Sequence, residues 1–430
     1  MVRSLLFATC THLGAGVAAP VGDSDLLLAH YRHLHRHPEL SRQERNTSAY
    51  LAEQLEPAGY KVTAGVGGYG LVAALRNGDG PVILFRADMD ALPIEEQTGL
   101  PFSSTARAVD TKGEEVPVMH ACGHDIHMTV LLGIAGQMAA DRAGWRGTLL
   151  LIAEPAEEIG AGARAMLADG LYERFPVPDY NLAYHVSPDL PAGRIGYVSG
   201  YALANVDSVD ITVYGVGGHG AYPQKTKDPI VLAARIVLAL QTLVSRELSP
   251  LDSAVVTVGA IHGGSRHNII PDEVRLQLTV RSYSDETREF LLRRIREISR
   301  GIAQSSGLPD DRLPRITVKD EYTPAVYNDP DLISRIVPVL RSTLGKSAVR
   351  GVDPVMVGED FARYGRTKER VPGALLWLGA VEPTRYQAAQ ASGESLPGLH
   401  SARFAPDAGP TIATGVRAMR AMLLELFREP

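Results

Sequence analysis

The sequence has 430 residues, 45% hydrophobic and 21% charged, the composition of a globular chain long enough for about two domains. Its formal charge of −6, small for the length, gives no support to nucleic-acid binding, which usually needs a basic face, so no nucleic-acid partner is expected, though a local cationic pocket stays open. Two cysteines, Cys10 and Cys122, are too few for a disulfide framework.

The chain opens on Arg3 followed by Ser4-Leu5-Leu6-Phe7-Ala8, and Val17-Ala18-Ala19 resembles a small-residue cleavage site. Thr9, Cys10, Thr11 and His12 interrupt the apolar run. Residues 1–20 therefore read as an N-terminal extension with weak signal-like character. A cytoplasmic protein is expected, with export as the alternative. His30, His33, His35 and His37 follow, with only Glu39 near them; they read as a helix surface and its terminating turn, not as a metal site. Val82 to Phe85 and Thr148 to Ile152 read as buried strands, with a helical stretch from His127 to Met138 between them, and Ala374 to Leu378 as a later strand. This alternation predicts an α/β layer. No stretch beyond the N-terminus is apolar for long enough to span a membrane, so no membrane partner is expected.

The middle of the chain has a different pattern. Val206 to Val213 and Ala254 to Ile261 read as strands, and Val274 to Val280 alternates at period two. Asp228-Pro229 caps an apolar helix from Ile230 to Val244. Ser284 caps a second helix with Leu291, Ile295, Ile298 and Ile302 on one face. The expected organisation is an α+β insert over 202–318 inside a discontinuous α/β domain of 21–201 and 319–430. The last helix carries Ile412, Val416, Met419, Leu423 and Leu426 as a core-facing stripe.

Three kinds of residue carry candidate chemistry. In Met119-His120-Ala121-Cys122-Gly123-His124-Asp125-Ile126-His127, the thiol and an imidazole lie two residues apart just before a helix, where its dipole and a metal both favour thiolate. Glu154-Pro155-Ala156-Glu157-Glu158 follows an apolar strand, where α/β proteins place their sites; one of its carboxylates can bind a cation while another stays free as a base. His185, His219 and His400 sit singly in apolar or strand-end settings, each alone more ordinary than functional. Together with the first two motifs they supply enough ligands for a two-metal site.

With these motifs the chain resembles the amidohydrolases of metallopeptidase family 20, subfamily D, which include hippurate hydrolases, N-acyl-amino-acid amidohydrolases and plant auxin-conjugate hydrolases. The resemblance rests on Leu34 to Ser41, Arg86-Ala87-Asp88-Met89-Asp90-Ala91-Leu92-Pro93, the Cys122 motif, Pro155 to Glu158, His185, Gly217 to Ala221, Asn268 to Asp272, Gly358 to Phe361 and Leu399-His400, collinear over nearly the whole chain. It implies a catalytic domain of the dinuclear-metal exopeptidase type with an inserted lid that also mediates homodimerisation. It implies two divalent metal ions, zinc, manganese, cobalt or nickel, bridged by Cys122 and completed by His124, Glu158, His185 and His400. Glu157 would be the general base, activating a metal-bound water and then protonating the leaving amine. His219, from the lid, would stabilise the oxyanion, and Asn268 would approach the substrate carboxylate. Asp88 and Asp125 would orient the ligands from the second shell. The implied reaction is cleavage of an N-acyl amino acid, or of a related conjugate or dipeptide, with benzoyl, indolyl-acetyl and acetyl groups all open.

The sequence departs from the family pattern at Glu154, where Gln is frequent, at Gln224, where His is common, and at Leu278, where Gly is usual. These departures bear on substrate preference. A cysteine hydrolase with Cys122 as nucleophile is the alternative chemistry, but it leaves Glu157-Glu158 unexplained. A non-catalytic scaffold would tolerate substituted ligands, and the set here is intact.

Overall fold

The computed structural model describes residues 24–320 and 322–428; the N-terminal segment and Cys10 lie outside them. Helix α1 (Ser24–Arg36) and α2 (Arg45–Leu55) lead into strands β1 (Lys61–Val66), β2 (Gly70–Asn77) and β3 (Val82–Asp88). Helix α3 (His124–Ala140), β4 (Gly147–Glu154), β5 (Tyr180–Pro191) and β6 (Ile195–Tyr197) follow. Then come β7 (Asn205–Tyr214), α4 (Pro229–Thr242), β8 (Ala254–Gly263), β9 (Glu273–Ser282), α5 (Asp285–Ser305) and β10 (Arg315–Val318). Helix α6 (Pro330–Leu344), β11 (Val349–Gly351), β12 (Gly373–Val381) and α7 (Ala408–Leu426) complete the set.

Eight strands form the larger sheet in the order β1-β2-β4-β3-β5-β12-β6-β11. Its centre is parallel, β4 with β3, β3 with β5 and β5 with β12, and its margins contain antiparallel pairs. A central strand of this kind is covered on both faces, so its residues are apolar in succession and their neighbours divide by parity. Ile83, Phe85, Leu149 and Leu151 point into the core beneath α1, α3, α6 and α7. Leu84, Leu150, Ile152 and Trp377 belong to a second core on the opposite face. Helix α3 is buried along nearly its whole circumference, which explains why it lacks a polar stripe. All five apolar residues expected along α7 are buried.

A separate four-stranded sheet, β8-β9-β7-β10, has its own core. Leu232, Ala233, Ile236 and Leu240 of α4 and Leu291, Leu292 and Ile295 of α5 pack on one face of it. Both predicted caps form: Asp228 accepts from the Ile230 amide at 2.8 Å and Ser284 Oγ from the Thr287 amide at 3.0 Å. The expectation that no later stretch is apolar enough to span a membrane needs correcting, because Pro229–Glu247 meets that test by length and composition. Its inward residues nevertheless pack on the four-stranded sheet.

The reading of the histidine-rich helix also needs correcting. His30 and His35 are buried, not on the helix surface. His35 bonds Asp125 Oδ2 at 2.7 Å and Glu96 Oε1 at 3.1 Å, so two carboxylates distant in sequence converge on it. Burial alone would lower its pKa, but these partners push it up to about 9.

Candidate metal centre

The C-terminal ends of β3 and β4 bring Asp88 and Glu154 to one crevice, the usual place for a site in a parallel sheet, and His185 joins them from the middle of β5. The Cys122 loop enters the same crevice from the side. Gly123 ends it with φ of 79°, and a Cβ there would lie 2.6 Å from Val186 Cγ2. Only glycine fits both the left-handed backbone and this approach. Two non-glycine residues at the site share that conformation, Ala156 with φ of 54° and His400 with φ of 62°. Such strain persists where surrounding bonds hold it. The Ala156 amide donates to Glu44 Oε1 at 2.8 Å, and the His400 amide to the Ala121 carbonyl at 2.9 Å.

Five ligand-like triads result among the described residues, and two of them share the thiol of Cys122. Cys122, His124 and His185 form the first; Cys122, Glu158 and His400 form the second; within each, the donor atoms lie within 4.8 Å of one another. Cys122 Sγ is 3.4 Å from His185 Nε2, and His400 Nε2 is 3.3 Å from Glu158 Oε2. Glu157 stands beside them, its Oε2 4.0 Å from His124 Nε2, and it also faces Glu359 and Asp360.

The hydrogen bonds select the imidazole tautomers. His124 Nδ1 donates to the Asp90 carbonyl at 2.8 Å, leaving its buried Nε2 without a hydrogen-bond partner. His185 Nδ1 donates to the Val186 carbonyl at 2.9 Å and turns Nε2 toward Cys122. Both rings thus turn Nε2 toward the centre, as metal-ligating histidines do. Glu158 Oε1 is likewise buried and without a partner. These orphaned acceptors, a thiol and several carboxylates fit divalent cations, and they would be costly to bury otherwise.

His127 shows the contrast. Its Nδ1 donates to Asp88 Oδ1 at 2.6 Å while Nε2 accepts from the Val186 amide at 2.9 Å, so neither nitrogen is free. It is a strut between β3 and β5.

Charge in the crevice is unbalanced. Burial first, then Glu359, Glu158 and Asp360, hold the Glu157 carboxyl well above the ordinary range. Burial, with Glu158 and Glu157, raises the Cys122 thiol as well. Burial lowers His185 to about 3. Burial also opposes charge on His124, but Asp88, Asp90 and Glu158 push its pKa up to about 10.

Several residues that build the site lie in the motifs that carry the resemblance, but the sequence alone assigned them no contact with one another. Arg86 is fully buried and holds four carboxylates: Asp88 at 2.6 Å, Glu154 at 2.8 Å, Glu359 at 2.8 Å and Asp360 at 3.4 Å. Tyr364 adds a bond to Glu154 at 2.7 Å, so the carboxylate found in place of the usual Gln is ion-paired and hydrogen-bonded. Asp90 holds His124 and accepts from the Glu158 amide at 3.0 Å. Its position two residues after Asp88 was the available clue. Asp88 lies 3.7 Å from His124 Nε2, whereas Asp125 bonds His35 and the Ile126 amide.

His219 and Asn268 are not part of this cluster. His219 pairs with Ile269 in a two-stranded ribbon, and Gly220 donates to the Asn268 carbonyl at 2.9 Å. Both residues are exposed, and among the described residues no hydrogen bond or ring contact joins them to the Cys122 cluster.

A mixed α/β body with a candidate Cys/His/Glu metal centre, buried except toward His400, and a second α+β unit fits the class of dinuclear-metal hydrolases. Comparison with known proteins makes this specific: residues 84–397 match the model of peptidase family M20/M25/M40, and the chain belongs to that family. It is a hydrolase of amide bonds. An N-acetyldiaminopimelate deacetylase of Bacillus subtilis is 37% identical over 91% of this chain and 96% of its own. An N-acetyl-L-cysteine deacetylase of the same organism is 36% identical over 81% of this chain and 79% of its own. Among solved structures, a dinuclear metal-binding M20 peptidase from Bacillus subtilis is 30% identical, with a TM-score of 0.73 over 93% of this chain and 98% of its own.

Proposed function

We propose that the protein is a metal-dependent amidohydrolase of N-acyl amino acids. The observation that carries this reading is the pair of triads sharing Cys122, with Glu157 alongside. Cys122, His124, Glu158, His185 and His400 would hold two divalent metal ions. When bound, such ions supply Lewis acidity toward the scissile carbonyl and acidify water. Zinc, manganese, cobalt and nickel all suit a thiolate, imidazole and carboxylate set.

Glu157 takes the proton of the attacking water and returns it to the departing amine. Asp90 and Asp88 orient the ligand histidine His124 and the strut His127 respectively. His219 and Asn268 enter from the second unit, 202–318, acting as a lid. The first donates to the oxyanion and the second to the substrate carboxylate. The exposed side chains of Ile230, Val231 and Leu238 on α4 support a homodimer built through that unit. The deacetylase names of the relatives support acyl amino acids as the substrate class.

The test is hydrolysis of a panel of N-acyl amino acids by metal-reconstituted protein, with a chelated control and Glu157→Ala. Activity that depends on both metal and Glu157 is expected. Turnover that survives chelation and Glu157→Ala would overturn the reading and make Cys122 the nucleophile.

A further inference from the structure

Four non-glycine residues among those described hold a positive φ: Arg42, Ala156, Arg370 and His400. Two of them, far apart in sequence, are joined through one atom. Glu44 Oε1 accepts from the Arg42 amide at 2.9 Å and from the Ala156 amide at 2.8 Å. Arg42, at φ of 66°, lies in the turn that leads into α2; Ala156, at φ of 54°, immediately precedes Glu157. A residue with a Cβ is strained in that region and stays there only where other bonds hold it. Glu44 is fully buried, so bulk water does not compete for its oxygen.

The turn that Glu44 holds carries two side chains, and they are anchored separately. The Glu158 amide donates to Asp90 Oδ2 at 3.0 Å, and the same oxygen accepts from Ser41 Oγ at 2.6 Å. Glu157 is placed by the residue before it. If Ala156 relaxed to an ordinary backbone region, the peptide leading into Glu157 would rotate. Its carboxylate would then leave its place 4.0 Å from His124 Nε2. The charge of Glu44 is not what the turn uses. Both bonds go to one oxygen, and Oε2 is buried without a hydrogen-bond partner. A neutral amide presenting the same oxygen would serve equally.

We infer that Glu44 is a positioning residue of the hydrolytic site: through the Ala156 amide it fixes the backbone that aims Glu157, while Asp90 fixes Glu158. This rests on the reading of Glu157 as the base and adds the group that sets its direction.

The experiment measures kcat, KM and bound metal on metal-reconstituted Glu44→Asp, Glu44→Gln and Glu157→Gln, using the fastest compound of the N-acyl amino acid panel. Glu44→Asp keeps the charge and withdraws the oxygen by one methylene. It should lower kcat about tenfold or more, with KM within about twofold of the parent and the metal content unchanged. Glu44→Gln loses the charge and keeps the oxygen, and its kcat should stay within about threefold of the parent. Two backgrounds separate this role from a structural one. Glycine takes a left-handed backbone without strain, so Ala156→Gly should shrink the loss caused by Glu44→Asp to about threefold, whereas Arg42→Gly should leave it about tenfold. Rescue by Arg42→Gly alone, loss of metal, or a folded Glu44→Gln worse than Glu44→Asp overturns the assignment. A thermal melt checks each variant. If Glu44→Asp does not fold, Glu44→Gln decides: kcat near the parent's supports the assignment, and a loss of about tenfold overturns it. Glu157→Gln keeps the two readings apart. Full kcat in that variant overturns both; a loss there with none in Glu44→Asp overturns only the role of Glu44.

Discussion

The crevice around Cys122 and the ribbon carrying His219 contribute to one proposed reaction yet are built in opposite ways. In the crevice nearly every polar atom is fixed. His124 and His185 each spend one nitrogen on a backbone carbonyl, and one guanidinium holds four carboxylates. On the ribbon, His219 and Asn268 are exposed, and the His219 side chain accepts from the nearby Ala221 amide. The first region is preorganised by its own chain, and its residues are coupled to stability as well as to chemistry. The second is free to act on whatever approaches, and its residues are coupled to chemistry alone.

Substitutions can break or sharpen that contrast. The largest effect is expected from Glu157→Gln, which should lower kcat by about 10²–10⁴-fold. Its metal content, measured by elemental analysis, should match that of the parent. Loss of metal along with activity would show that Glu157 is a ligand. Arg86→Met comes next. It strands the buried carboxylates of Asp88, Glu154, Glu359 and Asp360 and should cost about 3–5 kcal/mol in denaturant unfolding. His219→Ala should lower kcat by about 10²-fold, the loss of one oxyanion donor, while unfolding stays within about 0.5 kcal/mol of the parent. Full activity in that variant would make the ribbon a bystander.

The smallest effect concerns the buried His35 pair. His35 is raised to about 9 in the folded chain from an ordinary 6.5, so its contribution is complete below 6.5 and fades as pH rises through 9. Burial would raise Glu96, but bonds from His35 and Thr98 bring it down to about 2, so its contribution is complete above 4.5 and fades as pH falls through 2. The window in which both are complete runs from 4.5 to 6.5. His35→Gln should lose about 1.5–3 kcal/mol there. The difference from the parent in thermal melts should shrink above pH 9.

The same contrast explains what the sequence made legible. Elements with strong periodicity could be placed: the Val82 and Thr148 strands, the capped helices at Pro229 and Asp285, and the α7 stripe. Cys122, His124, Glu158, His185 and His400 could be named as a set through the resemblance to metallopeptidase family 20, since the single histidines alone were unremarkable, and the structure brings them into two groups that share Cys122. Arg86, Glu359 and Asp360 could not be linked, since 273 positions separate Arg86 from Glu359 and no local pattern announces an ion pair. His35 was misjudged for the same reason: its partners, 61 and 90 positions away, are invisible to a helical wheel. The apolar run of α4 was read correctly as a helix, but its membrane-like composition was overlooked.

The interleaving of the two sheets along the chain has a consequence for biogenesis. All four strands of the smaller sheet lie between Asn205 and Val318, so that unit can close as soon as it leaves the ribosome. The larger sheet must wait for β12 at Gly373–Val381, and until then β5 carries a bare edge next to His185. His400 arrives later still, clipped to Ala121 by a single amide. The nascent protein therefore carries a finished smaller unit beside an unfinished larger sheet, and the cluster from Cys122 to His400 is complete only after the two distant halves of the larger sheet have met.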